Sequence, residues 1–170
     1  GTRTDGQRHQ PRAHRPDDRP MSTMDDGVIV IGFDGTVGSH AALFAAIDLA
    51  HATARGIVVV HVEYAPPVAA AGTAIGPGAG ALVQAEDAFA EVCRRNCAAI
   101  LDGANVPWTF EARRGNPADE LADAADEHAA GFIVVGRHGH HGLGRLLAGS
   151  VSQRLVHHAR HPLLVIPPPA

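Results

Sequence analysis

The chain has 170 residues, 45% of them hydrophobic and 4% aromatic, with a formal net charge of −4. That is the length of one domain with apolar material for a sizeable core. It is too acidic for a nucleic-acid surface and too poor in aromatics for a single-strand stacking platform. All 14 cationic residues are arginine, which excludes a Walker A loop, because that loop ends Gly-Lys-Ser/Thr. No apolar run reaches the length of a membrane helix and no apolar h-region is visible near the start. The expected compartment is the cytoplasm.

Residues 1–26 are polar, with Pro11, Pro16 and Pro20 and a balanced set of five Arg and five Asp. Such a stretch cannot bury enough surface to offset its ordering entropy, so it is expected to be a disordered tail. Met21 and Met24 stand just before the first strand, and one of them is the expected native start. His9 and His14 are weak candidates for a metal and none is expected. Val28 to Ile31 is a short apolar strand, and Gly32-Phe33-Asp34-Gly35 at its end does not fit a dinucleotide fingerprint. Asp34 either contacts a ligand, because ligands of open α/β sheets sit beyond the carboxyl ends of strands, or simply makes the turn with Gly35. Ser39 is placed to cap the next helix, Ala42, Ala46, Leu49 and Ala52 give it a buried face, and Gly56 is expected to end it.

Ile57 to Val62 is a second buried strand, and its His61 is expected to be a hydrogen-bonded core histidine rather than a catalytic one. Glu63 to Gly80, rich in Pro, Gly and Ala, is expected to be a flexible flap beside the site. A helix runs from Leu82 to about Leu101, with Phe89, Val92, Cys93, Asn96 and Ile100 along one stripe. Cys93 and Cys97, four apart on that stripe, read as buried thiols, not as a C-x-x-C redox or zinc motif. Trp108 to Arg113 alternates like an edge strand. Asn116-Pro117 starts a helix with a cap and an N1 proline, Leu121, Ala124 and Ala125 face inward, and Gly131 is expected to stop it.

The most informative stretch comes next. Phe132 to Val135 is a strand buried on both faces, followed by Gly136-x2-Gly139-x9-Gly149-Ser150. Gly149-Ser150 opens an amphipathic helix with Val151, Leu155 and Ala159 at four-residue spacing. Strand, glycine loop and helix N-terminus together form a phosphate cradle, because unpaired amides and the positive end of the helix dipole converge there. Ser150 also fits a capping box with Gln153, and a hydroxyl bonded to its own helix is less free for phosphate. The helix ends at Arg160-His161-Pro162. Leu163 to Ile166 is a fifth strand, and Pro167 to Ala170 cannot extend it.

Alternating strands and helices with buried strands imply an α/β fold: a doubly wound, five-stranded parallel sheet with helices on both faces. The expected division is a tail at 1–26, a nucleotide-binding domain at 27–167 and a short tail at 168–170.

From Val28 to Ile166 the chain resembles a single-domain universal stress protein. The resemblance rests on Ile31-Gly32-Phe33-Asp34-Gly35-Thr36, Val60-His61-Val62, Gly115-Asn116-Pro117, the glycine spacing and Pro162-Leu163-Leu164-Val165-Ile166. It implies strand order 3-2-1-4-5 and an ATP-binding regulatory protein of the stress response, with ATP held with or without Mg2+. It implies adenine contacts near Asp34, taking in Gly32 and Phe33, and at the backbone of Val62. It implies ribose and phosphate contacts from Val135, Gly136, Gly139, Gly149, Ser150, Val151 and Ser152. It also implies a homodimer in which the last strand meets its twin, with no nucleic acid and no membrane as partners. The pair His140-His141 inside the loop departs from the pattern and is expected to be solvated. A slow ATP hydrolase or phosphotransferase is the alternative. It lacks support, because no lysine is available for phosphoryl charge and no second carboxylate is obviously paired with Asp34 for a metal. A structural dimer that binds no nucleotide is the third reading, and the glycine loop speaks against it.

Overall fold

Five segments become the strands of one parallel sheet: β1 (Ile29–Gly32), β2 (Ile57–Tyr64), β3 (Trp108–Gly115), β4 (Phe132–Gly136) and β5 (Leu163–Ile166). Between them run helices α1 (Val37–Thr53), α2 (Ala79–Leu101), α3 (Pro117–Glu127) and α4 (Ser150–His158). The computed structural model describes residues 27–64, 79–137 and 150–169. The expected tail at 1–26, with His9 and His14, and most of the expected flap lie outside those residues. No helix among the described residues is long and apolar enough to cross a membrane.

The strand order is β3-β2-β1-β4-β5, with every neighbouring pair parallel, as the resemblance implied. Alternation along the strands divides the core into two layers. Ile29, Ile31, Ile57, Val59 and Val134 face one side, where Leu43 and Ala46 of α1 and Cys93, Cys97 and Leu101 of α2 cover them. Val30, Val58, Val60, Ile133 and Val135 face the other side, beneath Leu121 and Ala124 of α3 and Leu155 of α4. Both faces of the central strands are therefore buried, which explains why they read as continuous apolar runs rather than alternating ones.

Several helix ends differ from the expectation. Thr36, not Ser39, caps α1: its Oγ1 accepts from the Ser39 amide at 3.2 Å. Ser39 lies inside the first turn and donates its hydroxyl back to the Thr36 carbonyl at 2.9 Å. The turn at Gly35, with φ of +77°, brings the chain into the helix three residues earlier than the serine suggests. At the other end α1 stops at Thr53, with Ala54 left-handed at φ of 55°, so Gly56 is not its stop. α3 is capped by Asn116, whose Oδ1 accepts from the Ala118 amide at 3.0 Å, with Pro117 at its start as expected. It ends at Glu127, and the left-handed residue is Ala129 at φ of 47°. Gly131 instead leads into β4, its amide donating to the Val28 carbonyl at 2.8 Å.

The stripe on α2 is also corrected. Ala90, Cys93, Cys97 and Leu101 are buried, whereas Phe89, Val92 and Asn96 are exposed. The cysteines are the centre of the inward face, and the flanking apolar residues lie one step round the helix from it. Both thiols are free and buried as expected. Burial pushes Cys97 up to about 12, and burial with the Asp34 charge raises Cys93, so neither is a ready nucleophile.

Candidate functional site

The sheet reverses its winding between β1 and β4. From β1 the chain crosses over α1 to β2 on one side, and β4 lies on the other side of β1. In doubly wound sheets that switch point opens a crevice outside the carboxyl ends of the two strands. Of the predicted residues, Gly32, Phe33 and Asp34 lie at the carboxyl end of β1, Val62 near that of β2, and Val135 and Gly136 at that of β4.

At the end of β1, Gly32 passes close to α3: a Cβ built on it would lie 3.0 Å from Leu121 Cδ1. The ring of Phe33 is buried in the first core layer and packs edge-on against His40, centroids 4.9 Å apart. Asp34 begins the turn. Its Oδ1 accepts from the Thr36 amide at 3.1 Å and from the Thr36 hydroxyl at 2.6 Å. The turn reading of Asp34 is therefore realised, and the same bonds fix the carboxylate at the mouth of the crevice.

At the end of β2, the bonds Ile29 N–H to Gly56 and Phe33 N–H to Val60 show which residues face β1. Alternation in a parallel ladder then turns the amide and carbonyl of Val62 toward β1 as well. The ladder's last pair is Gly32↔Val60, so Val62 stands just beyond it, opposite the place where Asp34 leaves the sheet. His61 is the buried, bonded histidine expected: it is 3% exposed, and Nδ1 donates to the Phe33 carbonyl at 2.8 Å.

At the end of β4, the side chain of Val135 is buried against α3 and α4, which leaves only its backbone to the crevice. A Cβ on Gly136 would lie 2.3 Å from the backbone of Gly38, and one on Gly38 would lie 2.8 Å from the Arg137 carbonyl. The N-terminus of α1 thus sits directly on the exit of β4, and only glycines permit that approach. Gly38 has no part in the sequence motifs above, and Thr36 enters them only as the last residue of the Ile31-to-Thr36 stretch. The signals were present, as a glycine in a helical first turn and a hydroxyl two residues after an aspartate.

Residues 138–149, which include Gly139, Gly149 and the His140-His141 pair, lie outside the described residues. So do the side chain of Ser150 and hence the capping-box reading. Ser150 begins α4, and Val151 and Ser152 in its first turn are half-buried. Leu155 of α4 is buried in the second core layer, and Arg154 holds α3 through two bonds of 3.0 Å to Asp119. The electrostatics of the two helix starts differ. The first turn of α3 carries Asp119 and Glu120, which answer its dipole from within the chain, while the first turn of α4 has no carboxylate.

Among the described residues no group of three His, Cys, Asp or Glu side chains could hold a metal. Among the described residues, the polar groups at these strand ends include the Val62 backbone, the Asp34 carboxylate and the backbone of Gly136.

The universal stress protein family matches this chain over residues 27–167. The chain belongs to that family. Among universal stress proteins, MJ0531 of Methanocaldococcus jannaschii is 41% identical over 59 residues, 35% of each chain. The stress response protein NhaX of Bacillus subtilis is 27% identical over 160 residues, covering 81% of this chain and 96% of its own. A universal stress protein of Archaeoglobus fulgidus, solved in complex with dAMP, superimposes with a TM-score of 0.62 at 21% identity, covering 82% of this chain and 97% of that one. Another universal stress protein, in complex with cAMP, gives 0.63 at 20% identity over 84% and 98%. These two share the universal stress protein fold with the present chain.

Proposed function

We propose that this universal stress protein binds an adenine nucleotide in the crevice between β1 and β4, and acts as a regulatory protein of the stress response whose nucleotide state changes its conformation or partners. The observation that carries the reading is the convergence at the switch point. Asp34 is held by Thr36, the Val62 backbone faces the gap past the last rung of β1, and an α4 start without carboxylates follows β4 and the glycine loop. The neighbours solved with dAMP and cAMP support the class of ligand. The base is assigned to Gly32, Phe33, Asp34 and Val62. The ribose and phosphates are assigned to Val135, Gly136, Gly139, Gly149, Ser150, Val151 and Ser152, and ATP is the proposed physiological form. The chain has no lysine to offset phosphoryl charge, which favours binding over hydrolysis.

The test is the nucleotide content of the purified protein, by acid extraction and chromatography, together with calorimetric titration of ATP, AMP and cAMP. Co-purified adenine nucleotide or saturable binding is expected. Neither, with the fold intact, would leave a structural protein. Steady phosphate release over time would instead make it an enzyme.

A further inference from the structure

The β1–β2 ladder closes at the pair Gly32↔Val60, and the Phe33 amide still donates to the Val60 carbonyl at 2.9 Å. In a continuing parallel ladder the next bond would run from the Val62 amide to the Phe33 carbonyl. The side chain of His61 takes that carbonyl instead, Nδ1 donating at 2.8 Å. A carbonyl only accepts, so Nδ1 carries a hydrogen and is the donor. Phe89 of α2 packs edge-on against the ring, centroids 5.5 Å apart, and holds it in place. The same helix approaches the turn itself: a Cβ on Gly35 would lie 3.7 Å from Phe89 Cζ and from Cys93 Sγ.

We propose that His61 is a positioning residue of the adenine subsite. Its ring replaces one ladder bond, so that the Phe33 carbonyl is satisfied while the Val62 backbone stays open to the base. This rests on the nucleotide-binding reading above. A buried carbonyl requires a donor. Without the ring, the donor next in register is the Val62 amide. Taking it would zip β1 onto β2 for one more rung, draw Phe33 and the Asp34 turn into the sheet, and occupy the group the base would use.

The experiment compares His61→Leu, which removes the donor, with His61→Asn, whose amide nitrogen reaches the place of Nδ1. His61→Leu is expected to weaken adenosine and ATP equally, by about tenfold, the scale of a single hydrogen bond to the base. His61→Asn should restore most of the affinity. Hydrogen exchange of the Val62 amide, without ligand, supplies a readout that loss of stability alone would not produce. It should be fast in the wild type and protected in His61→Leu. Unchanged affinity in His61→Leu, or a weakening that His61→Asn does not restore, would overturn the proposal. So would a wild-type Val62 amide as protected as that of Val60, a result that needs no variant to fold. Wild-type protein that binds neither adenosine nor ATP, yet shows the exchange pattern, would remove the nucleotide reading and leave the ladder replacement standing.

Discussion

Gly136 meets two demands at once. Its backbone ends β4 at the mouth of the crevice, and its missing side chain lets the start of α1 close over it, an approach that a Cβ would bring to 2.3 Å. A glycine read as a phosphate residue can therefore be required by packing alone, so Gly136 is a poor place to test binding. Gly139 is better. The proposed cradle expects either a left-handed turn or a close approach of phosphate at this position, and a side chain would obstruct both. Gly139→Ala is expected to weaken ATP binding tenfold or more, about 1.4 kcal/mol, with little effect on the fold, and calorimetry reads it. Ser150 separates cap from cradle. If its hydroxyl holds phosphate, Ser150→Ala loses affinity for ATP and keeps it for adenosine, and the effect is partial because the amides of α4 remain. If it only caps, the variant loses about 1 kcal/mol of stability and the ratio of the two affinities stays the same. The first pattern is expected, and a melting midpoint with two titrations decides it.

At the scale of elements, the two sheet edges differ. β3 is long and carries Glu111, Arg113 and Arg114, charges that discourage another strand from pairing. β5 is four residues long and wholly apolar, and Val165 is 38% exposed. An apolar edge of that kind is adhesive unless paired, which is the reason to test the homodimer through β5 that the resemblance implies. Val165→Lys is expected to give monomer by light scattering, because the lysine would place a charge in the paired edge. An unchanged dimer would remove this strand from the interface.

Across the whole molecule, a charged network ties the edge strand to the second helical layer. Arg113 bonds Glu111 at 2.7 Å and also reaches Glu127 of α3, while His128 bonds the other oxygen of Glu111 at 2.6 Å. Burial pushes the Glu111 carboxyl up, but the bonds from Arg113 and His128 outweigh it and leave it below its ordinary 4.5. The Arg113 bond likewise lowers Glu127. A carboxyl lowered by folding stabilises the fold above its unfolded value, and that contribution disappears as pH falls through its folded value. Wild-type stability is therefore expected to decline as pH drops from about 5 toward 3. Glu111→Gln should be less stable at neutral pH and should decline less over that interval, as urea midpoints at several pH values will show. Equal slopes for the two proteins would mean that the network contributes nothing to acid sensitivity.

The alternation of elements, the two-sided burial of the central strands, the edge character of β3 and the Asn116-Pro117 start were all legible in the sequence. They rest on local rules: apolar periodicity, capping chemistry and the proline ring. The glycine spacing was legible as a motif of the family, and its loop lies outside the described residues. The true cap of α1 was not legible, because Thr36 and Ser39 are both good caps and only the turn at Gly35 chooses between them. Nor was the exposure of Phe89 and Val92, since periodicity gives a stripe but not its rotation against the sheet. The bond from His61 to Phe33 joins residues 28 apart, and the close approach of Gly38 to Gly136 joins residues nearly a hundred apart. Such pairings arise only once β1 lies between β2 and β4. Local sequence set the elements and their order, while tertiary structure decided which backbone groups reach the crevice, because that depends on where each ladder stops.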